Sequence, residues 1–71
     1  MRLRNDLRES RLKKGLTQEG LAAMVGVTRQ TIIAIEKEKF VPSVRLALQL
    51  AAALEMPINS IFHLEDEQGA E

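Results

Sequence analysis

An all-α, five-helix domain is the fold class this sequence predicts, on three observations. Apolar residues recur at helical spacing along nearly the whole chain, helix starts and stops punctuate it at short intervals, and 71 residues leave room for one core only. A chain of this length buries only about 60% of the surface its unfolded form exposes, so a second core has no material. With 45% hydrophobic and 28% charged residues and no Gly-, Ser- or Pro-rich run, the composition is that of a folded, soluble domain rather than a disordered chain.

Taken in order, Asn5 or Asp6 can cap a first helix running to about Lys14, where Gly15 suits the left-handed conformation past a helix end. Thr17 caps a second helix to about Val25, stopped by Gly26 in the same way. Thr28 caps a third to about Lys37, and Pro42-Ser43 marks the start of a fourth to Leu54 or Glu55. Pro57 is expected to open a short fifth helix through Phe62. The segments Arg2 to Arg4 and Phe62 to Leu64 are the candidates for a minimal two-stranded ribbon joining the termini. The domain is therefore read as residues 1–64, followed by an acidic flexible tail, 65–71, that has nothing to bury.

The formal net charge of zero conceals an uneven layout. All ten Lys and Arg lie at or before Arg45 with five of the acids, so residues 1–45 carry +5, and the other five acids give residues 46–71 a charge of −5. Such a dipolar chain can turn a basic face toward a polyanion, although an uneven solubilising surface accounts for the charge alone equally well. The absence of cysteine excludes disulfides and thiolate metal sites. No apolar leader follows Met1-Arg2-Leu3-Arg4, and the apolar stretch Leu50 to Leu54 is far short of the roughly 20 residues of a membrane span. A cytoplasmic protein without membrane association is the expectation.

Residues that carry chemistry are few. His63 is the single histidine and has no clustered ligands beside it, so no metal site is expected. Ser10, Ser43 and Ser60 lack a base to activate them, and no Gly-rich loop offers a phosphate cradle. The sequence thus predicts no catalytic residues, no enzyme activity, no cofactor and no small-molecule effector.

The informative segment is the pair of short helices separated by the turn at Gly26. Gln18, Ala22, Gly26, Ile32 and Ile35 fall where two steeply crossing helices need them: Ala22 is small at the close approach, Gly26 provides the turn, and Val25, Val27, Ile32 and Ile35 close the shared core. Together, between two Thr caps, these positions predict a helix-turn-helix, the alternative being an ordinary helical hairpin. Winding the third helix at 100° per residue sets Thr28, Thr31, Ile32, Ile35 and Glu36 on one side and Gln30, Ile33, Ala34 and Lys37 on the other, with Arg29 at the edge. The second set suits the major groove of double-stranded DNA: Arg reads guanine, Gln reads adenine, and small apolar groups meet a thymine methyl. Ile33 alternatively packs in the core or in a contact between copies.

From Leu7 to Phe62 the sequence resembles the Cro/C1-type repressor domain, the five-helix regulators typified by the lambda and 434 repressors, and in particular its short stand-alone members. The resemblance rests on Leu16-Thr17-Gln18-Glu19-Gly20-Leu21-Ala22, on Val27-Thr28-Arg29-Gln30-Thr31-Ile32 with Ile35-Glu36, and on Pro42-Ser43 followed by Leu50-Ala51 and Leu54. It implies that Gln18 binds a phosphate, that Thr28, Arg29, Gln30 and Ala34 contact bases or backbone, and that Arg11 pairs with Glu36. The helical wheel independently places Glu36 inward, where a lone carboxylate is costly. With these, Thr31, Ile33, Lys37 and Lys39 complete the expected DNA-binding set. Two departures stand out: Gly20 replaces the Glu that completes a capping box, and Lys37-Glu38-Lys39 replaces a glycine-containing turn after the third helix.

The fourth helix is more apolar than one core explains, with large and small apolar residues around most of its circumference. The surplus predicts a two-fold interface formed by Val41, Val44, Leu48, Ile58, Ile61 and Phe62, and hence a homodimeric regulator, in the first instance a repressor, on an inverted-repeat operator. A tightly packed monomer with scattered exposed apolar residues is the plainer alternative. A different class of function, an antitoxin-like interaction module on the same fold, would need a segment to occupy its partner, and only the short acidic tail is available.

Overall fold

The computed structural model describes residues 1–66. Strand β1 (Arg2–Asn5) leads into four helices, α1 (Leu7–Lys13), α2 (Gln18–Val25), α3 (Arg29–Glu36) and α4 (Val44–Leu54). A 3-10 turn (Ile58–Ser60) then feeds strand β2 (Phe62–Glu65), which pairs antiparallel with β1 from Arg2↔Glu65 to Asn5↔Phe62. The domain is thus mostly helical, with the small ribbon at the termini.

Each helix starts where a side-chain oxygen replaces a missing carbonyl. Thr17 accepts from the N–H of Gly20, Thr28 from that of Thr31, and Ser43 from that of Leu46. At α1 the acceptor is Asn5 rather than the adjoining Asp6: its Oδ1 takes the Leu7 N–H at 3.1 Å, and Asp6 makes no side-chain cap bond.

All four helices end alike. The chain turns through one left-handed residue, at Gly15, Gly26, Glu38 and Glu55, with φ of 71°, 73°, 61° and 57°. The next residue's N–H then reaches the carbonyl five positions back: Leu16 to Arg11, Val27 to Ala22, Lys39 to Ala34, and Met56 to Ala51. This closing pattern favours glycine, because a Cβ crowds the carbonyl in the left-handed region. Two of the four positions are nevertheless glutamate, and both are ion-paired: Glu38 with Arg2 and Arg4, Glu55 with Lys14.

The expected fifth helix is a single 3-10 turn. Pro57 stands extended before it, and only Ile58 to Ile61 separate that proline from a strand whose first residue, Phe62, must face Asn5. Bonds from Ser60 to Pro57 and from Ile61 to Ile58, each spanning three residues, close the chain fast enough to seat Ile61 in the core. The Ile61 carbonyl then accepts the Asp6 N–H at 2.8 Å, tying the two ends together. Glu65, read as the first residue of the tail, is the last residue of β2; Asp66 follows it exposed, and the remaining part of the expected tail, 67–71, lies outside the described residues.

One core holds these elements: Leu7 of α1, Leu21 and Ala22 of α2, Ile32 and Ile35 of α3, and Leu46, Ala47, Leu50, Ala51 and Leu54 of α4, closed by Ile61 and Phe62. Ile61 and Phe62 were expected at an interface between copies. They are buried within the single chain instead, because the ribbon folds them inward, and Ile58 is half-buried against the same core. Val44 and Leu48, one turn apart on α4, remain outside with Val41 and Phe40 of the preceding loop. Among the described residues, no helix is long and apolar enough to cross a membrane.

Candidate nucleic-acid interface

The position of α3 is fixed from below by charge. Arg11 on α1 donates Nε to Glu36 Oε2 at 2.7 Å and Nη2 to Oε1 at 3.4 Å, with side-chain exposures of only 8% and 5%. The same guanidinium donates Nη1 to the Leu16 carbonyl at 2.9 Å, at the entrance to α2. Gln18, at the start of α2, donates its side-chain amide to Glu36 Oε1 at 3.1 Å. One buried carboxylate therefore gathers α1, α2 and α3, and no buried side-chain polar atom among the described residues lacks a partner. Gln18, which the resemblance implies binds a phosphate, is half-buried at the start of α2 with its amide on this network.

On this base, Ile32 and Ile35 are fully buried, and the opposite face of α3 is presented outward. Thr28, Arg29 and Gln30 are exposed at its amino end, Thr31, Ile33 and Ala34 are half-buried, and Lys37 and Lys39 are exposed just past its carboxyl end. Thr28 and Thr31 face each other, their hydroxyls 3.2 Å apart, so both are committed to the start of the helix. Arg29 and Gln30, by contrast, carry side chains that no hydrogen bond or ion pair holds among the described residues. The surface thus offers a bidentate cation, a bidentate amide and small apolar groups in sequence, flanked by two lysines, which is a chemistry that reads base edges and neutralises phosphates.

The carboxyl end of α3 is held from the other side by β1. Asn5 donates Nδ2 to the Ile35 carbonyl at 2.9 Å. Arg2 Nη2 lies 3.0 Å from Glu38 Oε1 and Arg4 Nε lies 2.8 Å from Glu38 Oε2, while Arg4 Nη1 reaches Glu65 Oε1 at 2.6 Å across the ribbon. Sequence reasoning did not find this cluster. Its signal was the alternation Arg2, Leu3, Arg4, which puts both cations on one face of a strand.

The two left-handed glutamates titrate below the ordinary carboxylate value of 4.5, Glu38 through its hydrogen bond from Arg4 and Glu55 through its hydrogen bond from Lys14. A depressed folded value means that each contributes stability above the unfolded value, and that this is lost as the pH falls through the folded one. Thermal melts are therefore expected to hold from neutral pH down to about 4.5 as far as these two groups are concerned, and to decline below it. In the double variant Glu38→Gln/Glu55→Gln the decline should be shallower; an unchanged acid limb would show that the pairs are not formed in solution.

A second surface adjoins the first. Phe40, Val41, Val44 and Leu48 are exposed by 46%, 66%, 75% and 52%, a concentration of large apolar side chains at the loop after α3 and along one side of α4. Phe40 was not anticipated, although a bare aromatic between Lys39 and Val41-Pro42 was its signal. Among the described residues no cluster of His, Asp and Glu could hold a metal ion, and His63 is exposed on β2 opposite Arg4.

The sequence profile of a helix-turn-helix family matches residues 7–61. A helix-turn-helix-type transcriptional regulator of Methanothermobacter thermautotrophicus is 55% identical over 69 residues, covering 96% of this chain and 99% of that protein. The regulator YgzD of Bacillus subtilis is 46% identical over 65 residues, covering 92% and 98%. Among solved structures, the restriction-modification controller protein C.AhdI of Aeromonas hydrophila aligns with a TM-score of 0.72 at 37% identity, over 76% of this chain and 78% of that one. With the capped α2 and α3, the turn at Gly26 and the exposed face of α3, these matches identify the chain as a member of the Cro/C1-type helix-turn-helix family of DNA-binding transcriptional regulators.

Proposed function

We propose that this protein is a homodimeric repressor that reads an inverted-repeat operator by laying α3 in the major groove, one protomer per half-site. The observation that carries the reading is the outward face of α3, where Arg29 and Gln30 are exposed and unengaged while Ile32 and Ile35 on the opposite face are fully buried. Lys37 and Lys39 flank that face as phosphate contacts. At the amino end of α2, Gln18, whose amide keeps a second N–H beside its bond to Glu36, joins the free backbone N–H groups of the first turn as a phosphate contact. Phe40, Val41, Val44 and Leu48 supply the two-fold contact that joins the second α3. No cofactor enters this reading, and the protein acts in the cytoplasm, where its operator lies.

Selection of bound duplexes from a random pool, followed by sedimentation of the protein with and without the winning duplex, tests the proposal. An inverted repeat should be enriched, and log affinity should fall with log salt at a slope of roughly −0.9 per neutralised phosphate. Val44→Asp should remain folded, sediment as a monomer and lose tight binding. A pool without an enriched repeat, or a parent protein that is monomeric at micromolar concentration even on its selected duplex, would overturn the proposal.

A further inference from the structure

Resting on that reading, we infer that Glu38, clamped by Arg2 and Arg4, is a positioning latch that fixes the angle between the recognition helix and the apolar patch, and with it the half-site spacing the dimer accepts. The turn after α3 is the joint between the two surfaces: Lys37 and Lys39 belong to its DNA side, and Phe40 and Val41 follow at once on the other. A glycine at the left-handed position, the residue the family resemblance leads one to expect there, would leave this joint held by backbone hydrogen bonds alone. Here the position is occupied by glutamate at φ 61°, a conformation that strains an L side chain. Its carboxylate accepts from Arg2 at 3.0 Å and from Arg4 at 2.8 Å, on a side chain only 19% exposed.

The partners give the latch its reach. Arg2 and Arg4 sit on β1, which is paired along its length with β2, and Arg4 is also bonded to Glu65 of that strand. From the same strand, Asn5 grips the last turn of α3 at the Ile35 carbonyl. Contacts from Arg2, Arg4 and Asn5 of one strand therefore fasten the carboxyl end of α3 and the joint beyond it to the ribbon that closes the domain. The end of α3 and the start of the loop that carries Phe40 and Val41 are thereby tied to the same ribbon, and in a two-fold dimer the angle between them sets the distance between the two recognition helices.

The test uses the full chain as parent, Glu38→Gly, Arg4→Ala and the double variant, with two readouts. Glycine keeps the left-handed turn without strain, so Glu38→Gly removes the latch and spares the fold. In hydrogen exchange without DNA, the amides of residues 37–39 should lose protection by about tenfold in Glu38→Gly and by less in Arg4→Ala, which leaves Arg2 on the carboxylate, and the double variant should exchange no faster than Glu38→Gly, since the Arg4 contact acts through Glu38. On duplexes with the half-site spacer lengthened or shortened by a base pair, the parent should discriminate and Glu38→Gly should lose about 3- to 10-fold of that discrimination. Protection at 37–39 that is unchanged in Glu38→Gly overturns the latch, and faster exchange with the parent's spacer preference overturns its positioning role. A parent that retains no duplex overturns the DNA reading and the positioning role together, while the exchange measurement still reports whether the latch exists.

Discussion

Glu36→Ala is expected to destabilise the domain by roughly 3 to 5 kcal/mol, the loss that follows when one partner of a buried pair is removed and the other is left uncompensated. The geometry places the pair in that regime: 8% and 5% exposure, two hydrogen bonds between guanidinium and carboxylate, and a third from Arg11 to the Leu16 carbonyl. Alanine would leave the guanidinium of Arg11 buried with one carbonyl for company and the Gln18 amide without an acceptor. A domain of this size has a total stability on the order of 0.05–0.15 kcal/mol per residue, so the variant should lose from about a quarter of its stability to all of it. Replacing both partners by apolar residues of similar volume, as in Arg11→Met/Glu36→Leu, should restore most of the loss, because it removes the desolvated charges along with the bond between them. Denaturant titration of the three proteins checks this. A Glu36→Ala midpoint equal to that of the parent would mean that the pair is solvated or not formed.

The features of the fold that were legible in the sequence are those decided by short-range chemistry. Thr17, Thr28 and Ser43 each stand three residues before the N–H they cap, and Gly15 and Gly26 each mark a left-handed stop, so α2, α3 and α4 begin and the first two helices end close to where local signals place them. The inward set Ile32 and Ile35 was legible for a related reason: helical spacing alone puts them on one face. The termini were harder to read. Pro57 announces a helix, yet the length of that helix is set by where β2 must begin, and that depends on pairing with Asn5, 57 positions before Phe62 in the chain.

The same distinction explains the errors about the surface. Counting apolar residues on α4 and beyond correctly implies a surplus, but which members are surplus depends on the ribbon, which turns Ile61 and Phe62 inward and leaves Val44, Leu48, Val41 and Phe40 outside. Glu38 and Glu55 were illegible as left-handed residues because glutamate has no intrinsic preference for that region; partners 34 and 41 residues away accompany it there. The bond from the Gln18 amide to Glu36 was likewise not legible, because it depends on the tertiary position of a residue 18 places along the chain.

Arg29→Ala and Gln30→Ala are each expected to lower operator affinity by roughly 1 to 3 kcal/mol, and each to relax preference at one base pair of every half-site. The argument is one of donor geometry. A guanidinium matches the two acceptors of guanine and a carboxamide matches the acceptor and donor of adenine, each forming two bonds in a fixed plane, so a changed base leaves buried donors or acceptors unpaired. Both side chains are exposed at the amino end of α3, ahead of the half-buried Ile33 and Ala34, whose contacts with a thymine methyl or with water exclusion discriminate less. Lys37→Ala and Lys39→Ala should instead weaken binding to all duplexes alike and reduce the salt slope by about one each, since a phosphate contact carries no sequence information. Competition across single-base operator variants separates the two behaviours. The assignment of the reading face to the outward side of α3 is wrong if Arg29→Ala and Gln30→Ala leave the order of preference intact while a lysine variant changes it, because then the bases are being read from beyond the carboxyl end of the helix.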